Sequence, residues 1–527
     1  MKFLRSALAF LALLPSAFAA FGVTTSGSNM IVDSGAGLVT TINTANGDIT
    51  SMTFNGKQLQ DASEHTQLSS GLGSATVTSS VANNIAKITI STSTITHYYI
   101  VQSGVNTLFI GTFASAEPTV GELRFIARLL KSSVPNGVVA SEINGGTAIE
   151  GSDVFLLNGQ TRSKFYSSVP FIRDQVHGVT GSGVGVFMII PGVGYESSSG
   201  GPFFRDIDNQ GSAQQELYFY MNSGHEQTES YRTGFFGPYA MAVTTGAAPS
   251  ANLNTTFMDS LGLQGYVPAS GRGTVTGTAT CIIDMLFLTL ALQVPTPGRW
   301  LELRLRWLIL EDTHEAWNLS APVSTVTLYQ GELEAGTGSV TVTAGRTSTV
   351  TLTSSLSVPS VIWRIGTVDG TPAGFLNADK IETMHPSDTR MSSWGPVTFT
   401  VGSSAASSFP MAQFKAVNNP TTIKWTATSS QIGARTLRIR TTEAFAGGRP
   451  QITVNSFTSA APAAPPTVDS RGVTRGTWRG LNQVYDFAIP AGTLTASTNT
   501  IQINTISGSA GDVFLSPNFV YDSVELF

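Results

Sequence analysis

Cysteine is all but missing. Cys281 stands alone in 527 residues, so no intrachain disulfide can form and no cysteine-built metal site exists. Charge is scarce too, at 12% Asp, Glu, Lys and Arg, about half the usual share. The net charge is −5 without a sizeable basic run, which argues against nucleic acid as a partner. The N-terminal apolar run, Ala7 to Leu14, is too short to cross a bilayer. From Phe21 to about Leu263 no stretch keeps a helical period, which removes helix-built architectures from that region.

What the chain has instead is glycine, 53 of them, with abundant Ser and Thr. That mixture suits many short strands with tight turns, in a chain long enough for three or four domains. Lys2 and Arg5 precede the apolar run, and Ala17-Phe18-Ala19 fits small-x-small cleavage. Residues 1–19 are therefore expected to be a signal peptide and the protein to be secreted. The sequons at Asn254 and Asn318 fit that route as glycosylation sites. A monomer needing no cofactor and no metal is expected.

The fold class expected is all-β, in three units. Residues 20–263 read as a large β-sandwich. Ile88 and Ile90 alternate with Thr and Ser, and Asn46-Gly47 and Asn55-Gly56 flank the run Ile49–Phe54 with hairpin signals. Residues 264–353 read as a smaller β unit, in which Ser339–Thr343 and Thr349–Leu352 suggest a hairpin about Ala344-Gly345-Arg346. Within it, residues 281–324 are atypical, rich in Leu, Arg and Trp. They read as an inserted helix or, preferably, as a gene-model error. Residues 354–527 form a third strand series, a jelly-roll-like sandwich of carbohydrate-binding type. The stretch Ala460–Pro466 is an extended loop inside it.

Chemistry-bearing side chains concentrate in three runs. Leu217–Tyr239 carries Tyr218, Tyr220, His225, Glu226, Glu229, Tyr231 and Arg232, while Gly121–Arg128 and Thr161–Tyr166 are shorter. These runs are read as meeting in one groove that cleaves an acidic sugar chain. On a strand, Tyr218 and Tyr220 point to the same face, either to serve a sugar or as an ordinary surface pair.

The runs GELRFIARL (121–129), GTAIEGSDVF (146–155), TRSKFYSS (161–168), YESSSGGPF (195–203) and YMNSGHEQTESYR (220–232) resemble rhamnogalacturonan lyases of polysaccharide lyase family four. So do MHPSDTRMSSWGP (384–396), FKAVNNP (414–420), FAGGRP (445–450), DSRGVTRG (469–476) and LSPNFVYDSVELF (515–527). The resemblance implies a catalytic β-sandwich, a fibronectin-III-like domain and a carbohydrate-binding jelly roll. It also implies endo-acting β-elimination on rhamnogalacturonan I, between rhamnose and O4 of galacturonate. Lys164 and His225 fall on the family's catalytic positions, and which of them is the base stays open.

Elimination requires a base at C5, positive charge at the carboxylate, and an acid at the leaving oxygen. Arg124 is a candidate carboxylate clamp, since its fork binds both oxygens. Tyr218 and Tyr220 are candidate sugar contacts, and Glu229 a further substrate contact or a support for His225. His385, Asp388, Trp394 and Trp478 offer a second site in the third unit, with core packing and turn chemistry as the plainer explanation. Two rival functions remain at this level. A glycoside hydrolase needs two positioned carboxyl groups, available among Glu122, Glu150, Asp153, Glu196, Asp206 and Glu229; a non-catalytic binder of pectic polysaccharide needs none.

Overall fold

Alternation of apolar and hydroxyl side chains builds the strands. In Ile85–Ser91, Ala86, Ile88 and Ile90 are buried while Lys87 and Thr89 are not, as a period of two requires. The computed structural model describes residues 20–69, 71–116, 123–137, 143, 145–151, 154–163, 175–191, 207–211, 213–222, 233–280, 288–293, 302–305, 324–357, 359–381, 384–466, 472–479 and 481–527. Residues 1–19, Lys164, His225, Glu229, Cys281 and Asn318 lie outside them. The described residues contain strands and short 3-10 turns, and among them no helix is long and apolar enough to cross a membrane.

The first domain is organised around a seven-stranded antiparallel sheet, in the order Val176–Gly181, Val184–Ile189, Gly234–Thr244, Thr107–Ala114, Ile95–Gln102, Ile85–Ser91 and Thr76–Ala82. One face packs on a five-stranded sheet (Gly22–Gln58) and on a four-stranded sheet through a continuous core that includes Ile42, Met52, Tyr99, Phe125, Phe219 and Tyr239. The other face is sealed by Met258 and Leu263 against Tyr98, Ile100, Phe109 and Phe235. Hence the central strands are buried on both sides, and strict alternation gives way to continuous burial. The Asn55-Gly56 turn behaves as its sequence dictates: both residues take positive φ, 50° and 79°, and the chain reverses from Ile49–Phe54 into Lys57–Gln58.

The middle domain pairs Thr274–Thr280 in parallel with Thr347–Thr353, opposite a four-stranded sheet ordered Glu302–Leu305, Leu288–Gln293, Ser324–Gln330 and Leu333–Val340. The hairpin expected from Ser339–Thr343 and Thr349–Leu352 does not form. Ser339 and Val340 end a strand of the four-stranded sheet, Thr349–Leu352 belong to the other, and Val340, Val342, Val350 and Leu352 meet in one core. Alternation alone does not distinguish a ladder partner from a partner across the sandwich. Strands, not a helix, occupy residues 288–293 and 302–305.

The third domain is a jelly-roll-like sandwich of two five-stranded sheets. One contains Trp363–Gly366, Asn518–Leu526, Arg435–Phe445, Gln483–Ile489 and Ala412–Phe414. The other contains Thr398–Thr400, Thr421–Thr426, Thr498–Ile506, Arg449–Val454 and Phe457–Thr458. Ala460–Pro466 is indeed a loop within it, held by Arg449 Nε donating to the Pro462 carbonyl at 2.8 Å.

Two polar joints fasten the third domain. Toward the first domain, Asp388 Oδ2 accepts from both the N–H (2.6 Å) and the hydroxyl (2.9 Å) of Thr161. The His385 N–H donates to the Thr161 hydroxyl and the Thr389 N–H to the Gly159 carbonyl. Arg475 Nε donates to Glu150 at 2.8 Å, with His385 Nε2 at 3.6 Å from the same carboxylate. Toward the middle domain, Arg479 holds Glu332 with two bonds of 2.6 and 2.9 Å. Beside it Gln330 donates to the Val368 carbonyl and the Glu332 N–H to the Asp369 carbonyl. Gly331, at φ +63°, sits where a Cβ would run into that carbonyl. One stretch, residues 472–479, thus supplies an arginine to each joint, and buried Glu443 anchors it by accepting the Val473 N–H.

Candidate active site

The four-stranded sheet of the first domain places the expected contact residues side by side. Leu123–Leu129 runs antiparallel to Gln215–Asn222, with Arg124 opposite Tyr220, Ile126 opposite Tyr218 and Arg128 opposite Glu216. The alternate residues, Phe125, Ala127, Leu217, Phe219 and Met221, turn inward, and Phe219 stacks on Tyr239 at 3.8 Å between centroids. Burial of each large apolar side chain stabilises by about 2 kcal/mol. The register is thereby fixed, because a slip by one residue would move the whole inner set outward.

On the outer face, the Tyr218 and Tyr220 rings stack at 5.6 Å and 20°. The Arg124 guanidinium lies 5.6 and 5.8 Å from their centroids, within range of cation–π attraction. Its Nη1 donates to the Tyr220 hydroxyl at 3.2 Å. Tyr218 donates to Glu216 Oε2 at 2.6 Å, and Arg128 Nε to Glu216 Oε1 at 3.2 Å. Burial, then the Glu216 carboxylate, push the Tyr218 phenol well above its ordinary range, so it remains a proton donor. The strand is fixed from outside by His177 Nε2, which donates to the Tyr218 carbonyl at 3.2 Å, and by the Tyr218 N–H bonded to the Asp208 carbonyl.

The three described contact candidates, Arg124, Tyr218 and Tyr220, therefore come together. One part of the reading changes. Tyr218 and Tyr220 are buried, grouped with Ile126 and Ile207, and stack on each other, so neither offers a ring face to a sugar. They lie together beside Arg124, which with Arg128 makes two half-buried cations on this face.

Of the remaining candidates, Lys164, His225 and Glu229 lie outside the described residues, as do Glu122, Asp153, Glu196 and Asp206. The strand Gln160–Ser163 ends immediately before Lys164 and belongs to a separate three-stranded sheet with Thr147–Glu150 and Val154–Leu157. Glu150 is not a groove acid: it is committed to Arg475 and His385 in the joint. Burial raises its carboxyl, but hydrogen bonds from His385 and Thr474 and the Arg475 charge bring it below the ordinary range. His385 and Asp388 likewise serve the joint, and the rings of Trp394 and Trp478 pack against the third domain's core. Asn254 is exposed, with Thr256 donating to its Oδ1. Among the described residues no three His, Cys, Asp or Glu side chains gather as a metal site.

Sequence reasoning missed Glu216, although the period that joins Tyr218 to Tyr220 extends to it. It also missed Arg128, which the sheet register brings opposite Glu216, and His177, which the packing of one sheet on another brings near.

Residues 21–265 match the family described as rhamnogalacturonan lyase B, N-terminal, and residues 361–526 match polysaccharide lyase family 4, domain III. The chain is 50% identical over 522 residues to rhamnogalacturonate lyase A of Aspergillus aculeatus, covering 97% of each. It is 49% identical over 515 residues to rhamnogalacturonate lyase A of Emericella nidulans, covering 97% of this chain and 96% of that one. Half of the sequence is thus shared along almost its whole length with enzymes of one activity, and both end domains match on their own: the chain belongs to the rhamnogalacturonan lyases of polysaccharide lyase family 4.

Proposed function

We propose that the enzyme cleaves the bond from rhamnose to O4 of galacturonate in rhamnogalacturonan I by β-elimination, leaving a 4,5-unsaturated galacturonate end. The observation that carries this reading is Arg124, a cation held on the four-stranded sheet beside two stacked tyrosines and hydrogen-bonded to one. Removing the C5 proton next to a carboxylate would create a second negative charge, and a fixed guanidinium offsets the first. Lys164 and His225 act as the proton-transferring pair. As base, Lys164 must be neutral, which requires its pKa to fall by roughly 3 from about 10.4. His225, ordinarily near pKa 6.5, is suited to protonate the leaving oxygen at mildly acidic pH, or to exchange roles with Lys164.

The signal segment 1–19 supports export of the enzyme to the extracellular medium, with Asn254 and Asn318 as glycan acceptors. The enzyme acts as a monomer and without a metal: activity is expected to persist in EDTA, and loss restored by calcium would overturn the role given to Arg124 and Lys164.

The test is product chemistry. Purified protein with rhamnogalacturonan I is expected to generate ultraviolet absorbance from the unsaturated uronate, and Lys164→Ala and His225→Ala to abolish it. New reducing ends without that chromophore would mean a hydrolase, and an intact polymer a binding protein.

A further inference from the structure

Among the described residues, the sheet that holds the strand preceding Lys164 is small. It consists of three four-residue strands, whose described large apolar side chains include one fully buried member, Val154. So small a sheet is marginal without outside support. That support comes from the third domain. Thr161, only 1% exposed, gives its backbone N–H and its hydroxyl to the same oxygen of Asp388 and accepts the His385 N–H. Gly159, in the preceding turn, accepts the Thr389 N–H.

Asp388 is itself locked. Arg390 donates to it from Nε at 2.9 Å, Nη2 at 2.8 Å and its own N–H at 2.8 Å. Burial pushes the Asp388 carboxyl up, but the Arg390 side chain and the surrounding N–H groups hold it well below the usual carboxylate range. An ionised acceptor of this kind makes charge-assisted bonds, and here both bonds fall on one residue of an edge strand. Lys164 follows Thr161 by three residues, a tether of about 10 Å when fully extended. Whatever fixes Thr161 limits where the lysine can be.

We propose that Asp388 of the third domain is a positioning residue for the lyase reaction, fixing through Thr161 the strand from which Lys164 follows. The inference rests on the catalytic role proposed for Lys164. On this account the carbohydrate-binding-like domain takes part in catalysis by holding a strand of the first domain, and substrate binding does not enter into it. Asp388 touches neither substrate nor reacting atoms. Its loss should appear in kcat and in the pH at which the base titrates, with KM little changed.

The test uses the full chain. Asp388→Ala is expected to lower kcat by about tenfold to a hundredfold, the scale on which displacement of a catalytic group acts. Its KM should stay near that of the wild type, and the acid limb of its pH–rate profile should move. Asp388→Asn keeps an oxygen for both Thr161 donors and should recover most of kcat. Thr161→Val, which keeps the N–H but not the hydroxyl, should fall between them. Arg479→Ala loosens the other joint and serves as the control for general destabilisation; it should lower the melting temperature and leave the pH–rate profile in place.

Wild-type kcat and pH profile in Asp388→Ala, with Lys164→Ala inactive, would overturn the positioning role and leave the proposed chemistry standing. Should Asp388→Ala fail to fold, wild-type kcat and pH profile in Thr161→Val overturn it equally. Full activity in Lys164→Ala would remove the proposed chemistry and the positioning role together.

Discussion

The outer face of the four-stranded sheet and the joints of the third domain are made from the same residue types, arginine and carboxylate with a hydroxyl beside them, yet they are built in different ways. On that sheet Arg124, Tyr218, Tyr220 and Glu216 come from two adjacent strands, and the ladder register alone brings them together. In the joints each partner comes from a different domain: Arg475 meets Glu150, and Arg479 meets Glu332. Ion pairs of the second kind do their work between rigid bodies, where their loss costs stability. Arg124 instead sits within a single sheet whose strands are fixed by other contacts, so its loss should cost rate. Residue type does not separate a site from a fastening; the origin of the partners does.

The largest effect should come from the groove. Arg124→Ala is expected to reduce kcat/KM by about a hundredfold to a thousandfold, as for other lost electrostatic stabilisers, with an unchanged melting temperature; initial rates and calorimetry check both halves. Arg124→Lys should restore little, because a point charge does not reproduce the fork. A large drop in melting temperature in Arg124→Ala would erase the distinction.

The joint should respond in the opposite sense. Arg479→Ala leaves Glu332 without its two-bond partner and is expected to cost about 3 kcal/mol, typical for breaking a buried pair from one side. Urea denaturation of the third domain measures this, and kcat should change by less than about twofold on the scale of sites remote from chemistry.

The two joints should also differ in their response to pH. Toward the middle domain, burial raises Asp522 to about 7, with the Asp369 charge adding to it, and raises Asp369 to about 6. Asp522 Oδ1 accepts the N–H groups of Asp369 and Gly370, the loop on which the middle domain docks. Carboxyls raised in the folded state contribute stability that is fully present below their unfolded value, near 3.8, and lost as pH rises through 6 to 7. Toward the first domain, Asp388 and Glu150 are lowered, so their contribution is present above the unfolded value and lost in acid. Melting between pH 5 and 8 should therefore show the third domain weakening on the alkaline side. Asp522→Asn should flatten that slope, and an unchanged slope in the variant would count against this assignment.

The smallest effects should distinguish the two tyrosines. Tyr220→Phe removes the acceptor of Arg124 and should lower kcat/KM by about fivefold to tenfold, one hydrogen bond's worth. Tyr218→Phe, whose hydroxyl serves Glu216, should cost less. The reverse order would mean that Glu216, rather than Arg124, is the group the pair supports.

Local pattern revealed the strands of the third domain and the shared face of Tyr218 and Tyr220, because a period of two is written in consecutive residues. It did not reveal that Arg124 faces Tyr220, which depends on a register between strands about ninety positions apart. Nor did it separate the two sheets of the middle domain, where Val340 and Val350 face each other across a core and look like hairpin partners. Asp388 and Thr161 are 227 positions apart, and HPSDTR reads locally as an ordinary turn. Partners of that kind carry no local signature, which is why His385 and Asp388 suggested a second sugar site and proved to be part of a joint.

The stretch 472–479 has a mechanical consequence. Many accessory sugar-binding modules swing on a flexible tether and hold an enzyme near its polymer while the catalytic part moves freely. Here both arginines of one short loop are gripped by different neighbours, so the third domain is tied to each of them. Drawing the third domain away from either neighbour must then break a two-bonded or charge-assisted contact to that neighbour.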